Sequence, residues 1–283
     1  MTEAVRIKDR LARAAAMSRR ELVERIRERL IHRFSYRANI RRLAFDLDRY
    51  SRALYDAPYR ERAETGPLNL AVKLDRQRLG GPFESPLIVL INRAAAALVG
   101  NRRAVLEVGS GTGLFAWLAS EDERRSIVAS ELDAPARQWA VEHRSRPNIR
   151  YCGQRLAEFE ADAFELVVAL EVLEHIADFG AFLSQMTRIA PVAIVSTPNK
   201  WSDPFRSIAR TPAYGEHVRE WTAGEFFWVL RAFYSHVDLF TIPDAARQAA
   251  TVANDHTRPP RVVPCTDLSC EEPLLALCEN REG

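Results

Sequence analysis

From position 101 onward, short apolar runs alternate with helix-length stretches. The runs are Ala104–Val108, Ser126–Ser130, Asn148–Cys152, Phe164–Leu170, Val192–Asn199, His236–Ile242 and Leu274–Cys278. Each is too short for a helix, and the runs at Ala104, Phe164 and Val192 are apolar at successive positions, which predicts strands buried on both faces. Their alternation with helices predicts an α/β fold with a mostly parallel sheet covered on both sides. Val105, Ile127 and Val168 are expected on three neighbouring central strands. Ser85-Pro86 reads as a cap followed by a first-turn proline, opening a helix through Leu87 to Leu98. Asp133-Ala-Pro135 reads the same way, and Thr222-Ala-Gly-Glu225 matches a capping box. A further helix is expected near Gly113, packing through Leu114, Phe115, Trp117 and Leu118.

The N-terminal part has a different pattern. Ser18-Arg-Arg-Glu21 matches a capping box, and Leu22, Ile26, Leu30 and Phe34 recur four apart. Residues 1–60 therefore read as a helical extension. Residues 61–84, with Gly66-Pro67 and Gly80-Gly81-Pro82, read as a linker, and 85–283 as the main domain. Residues 200–221 lose periodicity around Trp201, Pro204, Phe205, Pro212, Tyr214 and Trp221. They are expected beyond the carboxyl ends of the strands, where open α/β sheets bind ligands.

Charge adds one feature. The net charge is +2, but residues 1–60 carry 15 Arg and 1 Lys against 8 acids, about +8 by difference. Arg25, Arg29 and Arg33 adjoin the apolar stripe. The leading reading is a solvated helix packed on the main domain; a nucleic-acid surface and a membrane-surface helix are the alternatives. Hydrophobic content of 47% and charge of 28% exclude a disordered chain. No run is long enough for a transmembrane helix, and the first residues lack the apolar core of a signal peptide, so a cytoplasmic location is expected. The spacing of Cys265, Cys270 and Cys278 fits no zinc pattern, and with Cys152 they read as buried thiols.

The most informative stretch is Ala104-Val-Leu-Glu-Val-Gly-Ser-Gly-Thr-Gly-Leu114. A strand ends in an acid and opens into alternating glycines, which bring backbone close to a ligand. A phosphate loop needs Lys-Ser/Thr after its last glycine, and none is present. A dinucleotide fingerprint needs glycine where Leu114 stands. Glu107-x-Gly109-x-Gly111-x-Gly113 instead resembles the first motif of class I S-adenosylmethionine-dependent methyltransferases. Three further segments in order resemble the same family. They are Phe164-Glu-Leu-Val followed by Glu171-Val-Leu-Glu-His175, Ser196-Thr-Pro-Asn199, and Glu216-His-Val-Arg-Glu-Trp-Thr222. Glu165 stands where the family often has Asp. The resemblance covers roughly residues 85–283.

It implies a Rossmann-like, seven-stranded sheet and S-adenosyl-L-methionine as cofactor. By resemblance, Glu107, Gly109, Ser110, Gly111 and Gly113 surround its methionine part. Glu131, about 20 residues past the loop, accepts the ribose hydroxyls. Leu132 lies beside the adenine, Gln154 or Arg155 approaches it, and Leu170 and Glu171 border the cofactor. The implied activity is methylation of a small metabolite or sugar, expected on oxygen. A hydroxyl acceptor needs its proton removed, and a neutral histidine suits that task. His175 is the first candidate base, oriented by Glu174 or Glu171, with His217 the second; Asn199 is a candidate hydrogen-bonding group for the acceptor.

Two alternatives stay open. Glu171, Glu174 and His175 stand at i, i+3 and i+4, one face of a helix. With His217 they resemble the metal site of RNA 3′-terminal 2′-O-methyltransferases, whose mixed ligands suit manganese. The leading reading has no metal, and nucleic acid is the less favoured partner. A non-catalytic subunit that binds the cofactor and a partner is the other alternative.

Overall fold

The computed structural model describes residues 73–74, 77–78, 83–200, 217–254, 260–268, 270 and 272–280. The chain divides into two compact units, Met1–Glu64 and Thr65–Gly283, and all described residues belong to the second. The expected N-terminal helices, most of the linker, and Trp201, Pro204, Phe205, Pro212, Tyr214 and Glu216 lie outside the described residues.

Among the described residues, helix α1 spans Pro86–Leu98, followed by strand β1, Ala104–Val108, and α2, Leu114–Ala119. Then come β2 (Ser126–Ser130), α3 (Ala134–His143), β3 (Ile149–Cys152) and β4 (Leu166–Leu170). After them follow α4 (Phe179–Ile189), β5 (Val192–Thr197), α5 (Ala223–Arg231) and β6 (His236–Thr241). The last elements are α6 (Ala245–Asn254), β7 (Val263–Pro264) and β8 (Leu274–Glu279). They form one sheet in the order β3-β2-β1-β4-β5-β8-β6-β7. The first five strands pair in parallel, while β8 runs antiparallel to both β5 and β6.

All seven expected strands are present. The eighth, β7, is a two-residue edge strand paired with Phe240 and Thr241. Its Pro264 is tolerable because an edge strand needs donors on one side only. Val105 pairs with both Ile127 and Leu166, so the three central strands are neighbours.

Successive strand residues enter opposite cores. Val105, Leu166 and Ile194 pack with Leu90 of α1 and Phe115 of α2 on one face. Leu106, Val167 and Val195 pack with Leu183 of α4 and Phe226 of α5 on the other. Burial on both faces is why these strands read as continuous apolar runs. Helix α2 packs through Phe115, Ala116 and Ala119 rather than Trp117 and Leu118. Trp117 is only partly buried, with the Arg146 guanidinium 4.8 Å from its ring.

The caps follow the sequence. Asp133 accepts from the Ala136 N–H at 3.2 Å. Thr222 and Glu225 exchange reciprocal bonds at 3.2 and 3.0 Å. Ser85 makes no side-chain cap bond, although Pro86 does open α1. The order of the strands reverses at β1, whose partners are β2 on one side and β4 on the other. Ligands of open α/β sheets sit beyond the carboxyl ends at such a switch point.

Candidate active site at the carboxyl edge of the sheet

The loop after β1 is built on positive φ. Gly109, Gly111 and Gly113 have φ of 67°, 52° and 75°. A Cβ on Gly109 would fall 2.7 Å from Val172 Cγ2, and one on Gly113 would fall 2.5 Å from Tyr151 Oη. Tyr151 cannot easily withdraw, because its hydroxyl donates to the Arg144 carbonyl at 2.9 Å. Gly113→Ala therefore combines a disfavoured backbone with a clash. It is expected to cost more than about 1 kcal/mol of stability, seen as a lowered urea midpoint; an unchanged midpoint would contradict this packing.

Glu107, next to last in β1, is 4% exposed, and its carboxylate accepts from the Ala116 N–H at 3.1 Å. Burial pushes the Glu107 carboxyl up to about 8, with the Glu131 charge adding to the rise and the Ala116 N–H, Arg144 and Lys73 opposing it. The folded chain thus holds a proton that the unfolded chain releases near the ordinary carboxylate pKa. Between those values the unfolded state binds fewer protons, so this group's contribution makes stability fall as pH rises from about 5 to about 8. Glu171, pushed up to about 7 by burial, acts in the same direction. Glu107→Gln is expected to flatten part of that slope in ligand-free protein, measured by urea denaturation across pH. An unaltered slope would show that Glu107 ionises freely in the fold.

At the end of β2, the Glu131 carboxylate accepts from Gly111 N–H at 2.6 Å and Asp133 N–H at 2.8 Å. It thus ties the glycine loop to the next turn. Leu132 beside it is 55% exposed, a large apolar side chain free to meet a flat ligand. The Ser130 hydroxyl donates to the Gln154 carbonyl, which holds the turn after β3 against β2. Gln154 Oε1 also accepts from Arg150 at 3.3 Å, whereas Arg155 is exposed and caps a 3-10 turn with Glu158.

Beyond β4, Leu170 leads into Glu171, a non-glycine residue at φ 54°. The Ser196 hydroxyl donates to its carboxylate at 2.7 Å, and the Glu171 N–H approaches Ser196 Oγ at 3.0 Å. Such left-handed residues cost about 1 kcal/mol or more and persist where neighbours hold them. This turn overturns the expected single helix face. Leu173–His175 is a 3-10 turn, with Glu174 buried at 1% and the His175 side chain 39% exposed. The left-handed Glu171 and the tighter turn break the i, i+3, i+4 alignment.

Tertiary structure brings together three of the four residues of the metal alternative. Ligand atoms of Glu174, His175 and His217 all lie within 4.8 Å of one another, and Glu171 is outside that set. The His175 and His217 rings meet edge to face, 4.9 Å between centroids. His175 Nε2 is 3.9 Å from Glu174 Oε1, and His217 Nδ1 is 3.2 Å from Glu220 Oε1. His217 is brought there by its neighbours, since the Val218 and Arg219 N–H groups both donate to the Glu174 carbonyl, at 2.8 and 3.1 Å. Burial first, and the Glu171 charge second, hold the Glu174 carboxyl well above its usual range.

Asn199 is not placed to meet an acceptor. It is 2% exposed, and its amide donates to the carbonyls of Cys270 and Glu272 at 2.7 and 3.0 Å. It clasps the loop before β8. That loop also brings the free thiols of Cys265 and Cys270 to 3.2 Å. Lys73, Glu84, Thr112 and Arg144 gather at the glycine loop, and Glu220 at His217, without any sequence pattern that singles out these side chains. Lys73 is one of only three lysines in the chain, but no local pattern marked it.

A Rossmann-like switch point with a glycine loop, a carboxylate on the next strand and a histidine pair defines a nucleotide-cofactor enzyme class. The family model described as "Methyltransferase domain" matches residues 76–250, and the chain belongs to that family. Its cofactor is S-adenosylmethionine. The chain is 27% identical over 130 residues to ubiquinone biosynthesis O-methyltransferases from two strains of Rhodopseudomonas palustris. The match covers 41% of this chain and 47% of theirs, so the chain spans about half the length of the curated relatives it matches. A SAM-dependent methyltransferase structure from Thermotoga maritima is 13% identical, with a TM-score of 0.52 over 69% of this chain and 90% of that one. A methyltransferase solved with the Haloferax volcanii activator Trm112 is 14% identical, with a TM-score of 0.52 over 76% and 98%. These two likenesses concern the fold.

The residues present fit the cofactor. The loop carries no bulky side chain at its three positive-φ positions, and Ser110 Oγ is buried with no hydrogen-bond partner among the described residues. Buried polar atoms of that kind are commonly satisfied by a bound ligand or water. No described helix is long and apolar enough to cross a membrane.

Proposed function

We propose that this chain methylates a hydroxyl group of a small metabolite or sugar. The observation that carries this reading is the meeting of His175 and His217 beside Glu174, just past β4. Family membership favours catalysis over a non-catalytic subunit. The likeness to O-methyltransferases over 130 residues supports oxygen as the acceptor.

Bound S-adenosylmethionine supplies a methyl group already activated on a sulfonium. Glu107, Gly109, Ser110, Gly111 and Gly113 would hold its methionine part, Glu131 its ribose, and Leu132 and Gln154 its adenine, with Leu170 and Glu171 bordering the cofactor. The chain's own chemical task is to align the acceptor and take its proton. His175 has the more exposed ring of the pair, so it is the base in this reading, oriented by Glu174. His217, with 9% side-chain exposure and a carboxylate partner, backs the site.

The test is methyl transfer from tritiated cofactor to a panel of phenols, catechols and sugars. Alkali-stable, ether-linked label is the expected product. Label found only on nitrogen, or only on RNA, would overturn the reading.

A second reading draws on the three ligand atoms within 4.8 Å. Two imidazoles and a carboxylate suit a divalent ion such as manganese, and in this reading the acceptor is an RNA 3′ end. Expected then is a stoichiometric Mn²⁺ site in calorimetric titration, lost in His175→Ala and in His217→Ala. Absence of such a site would leave the small-molecule reading alone.

A further inference from the structure

Behind the glycine loop lies a buried charge cluster with no part in acceptor chemistry. Glu84, with 6% side-chain exposure, pairs with Lys73 Nζ at 2.8 Å and with Arg144 NH1 at 3.0 Å. All three meet Thr112, which stands between Gly111 and Gly113 and is 1% exposed. The Thr112 hydroxyl donates to Glu84 Oε1 at 2.7 Å, and it accepts from Lys73 at 2.9 Å and Arg144 at 3.2 Å. A hydroxyl has one proton and two lone pairs, so this one is fully committed. Arg144 NH1 also donates to the Thr112 carbonyl at 3.1 Å.

Aromatic rings cover the cluster. Phe83 stacks on Trp139 with centroids 4.3 Å apart, and Trp139 stacks on His143 at 4.3 Å. The Arg144 guanidinium lies 5.1 Å from the Trp139 centroid, and Lys73 Nζ lies 5.8 Å from that of Phe83. The Arg144 carbonyl receives the hydroxyl of Tyr151, the ring that limits the space at Gly113. Residues from before α1 and from the end of α3 therefore converge on one loop residue.

The alternating glycines leave this loop conformationally free, and ordering glycine backbone costs more entropy than ordering any other residue. Glu131 holds the Gly111 N–H from one side. Thr112 is the side chain by which the loop can be held from the other. We propose that Lys73, Glu84 and Arg144 are positioning residues for cofactor capture: they act through Thr112 to pre-order the Gly111–Gly113 backbone. This rests on the reading of that loop as the cofactor site. Loss of the clamp transfers the cost of ordering the loop to the binding step.

The choice of variants follows from the charges. Removing Glu84 would strand two buried cations and threaten the fold. Lys73→Met leaves the Glu84–Arg144 pair balanced, and Thr112→Val removes the hydroxyl while keeping the shape. Thr112→Ser keeps the hydroxyl.

Calorimetry with S-adenosylhomocysteine on the full chain is the experiment, with Glu131→Ala as control and ligand-free Tm measured alongside. Lys73→Met and Thr112→Val are each expected to raise Kd roughly tenfold. Thr112→Ser is expected to bind like the wild type. Hydrogen exchange should quicken at residues 109–113 in the two weakened variants. Wild-type affinity in Lys73→Met and Thr112→Val, with Glu131→Ala weakened, would overturn the clamp and leave the loop's role standing. Equal weakening in Thr112→Ser and Thr112→Val, with Tm lowered in both, would reduce the cluster to a stabilising one and also overturn the proposal. Failure of the wild-type chain to bind would instead overturn the reading of the loop itself.

Discussion

His175→Ala is expected to lower kcat by about 10²–10⁴-fold, the usual worth of a positioned general base, and to leave S-adenosylhomocysteine affinity within about twofold. The separation follows from geometry. Glu107, Ser110 and Glu131 lie at the loop after β1 and Val172 closes over Gly109, whereas the His175 ring, further past β4, is 39% exposed. The Glu174 carboxyl, 3.9 Å from His175 Nε2, is buried and held above its usual range by burial and by Glu171. Truncating His175 removes a proton acceptor without disturbing that packing. His217→Ala is the informative companion. In the general-base reading it loses less, because its ring is buried against Glu220 at 3.2 Å. In the metal reading both variants fail together and both lose Mn²⁺. Turnover unchanged in His175→Ala would remove this residue from the chemistry.

Glu131→Ala is expected to weaken S-adenosylhomocysteine binding by about 2–3 kcal/mol, roughly 30- to 150-fold, with the fold intact. Two effects combine. The carboxylate that would accept the ribose hydroxyls disappears, and charge-assisted acceptors of that type are strong. The Gly111 N–H also loses its 2.6 Å partner, so the loop is less ordered before binding. The side chain is only partly buried at the edge of the sheet, which is why stability should survive. Glu131→Gln, which keeps one acceptor oxygen, should fall between the two. Calorimetry decides the matter, and affinity equal to wild type would remove Glu131 from the site.

The central strands were legible because each is a local apolar run that meets both cores, as Val105 with Leu106 and Ile194 with Val195 do. The caps at Asp133 and Thr222 were legible for the same reason, since a cap joins residues three apart. Where reading failed, distant partners decided. The Glu171–His175 segment has helical spacing, but two bonds to Ser196, 25 residues away, hold Glu171 at positive φ. Asn199 looked available until two carbonyls more than 70 residues on took its amide. The two-residue strand Val263–Pro264 has too few side chains to show any period.

By itself, the sequence determined the α/β architecture and the glycine loop with its acids at Glu107 and Glu131. Apolar periodicity and the need for positive φ are properties of neighbouring residues, so they are written locally. Only the tertiary structure decided that ligand atoms of His217, His175 and Glu174 gather without Glu171, and that Lys73, Glu84 and Arg144 converge on Thr112. Those arrangements depend on which far-separated groups come within a few ångströms once the sheet is closed by its helices, and spacing along the chain does not encode that distance.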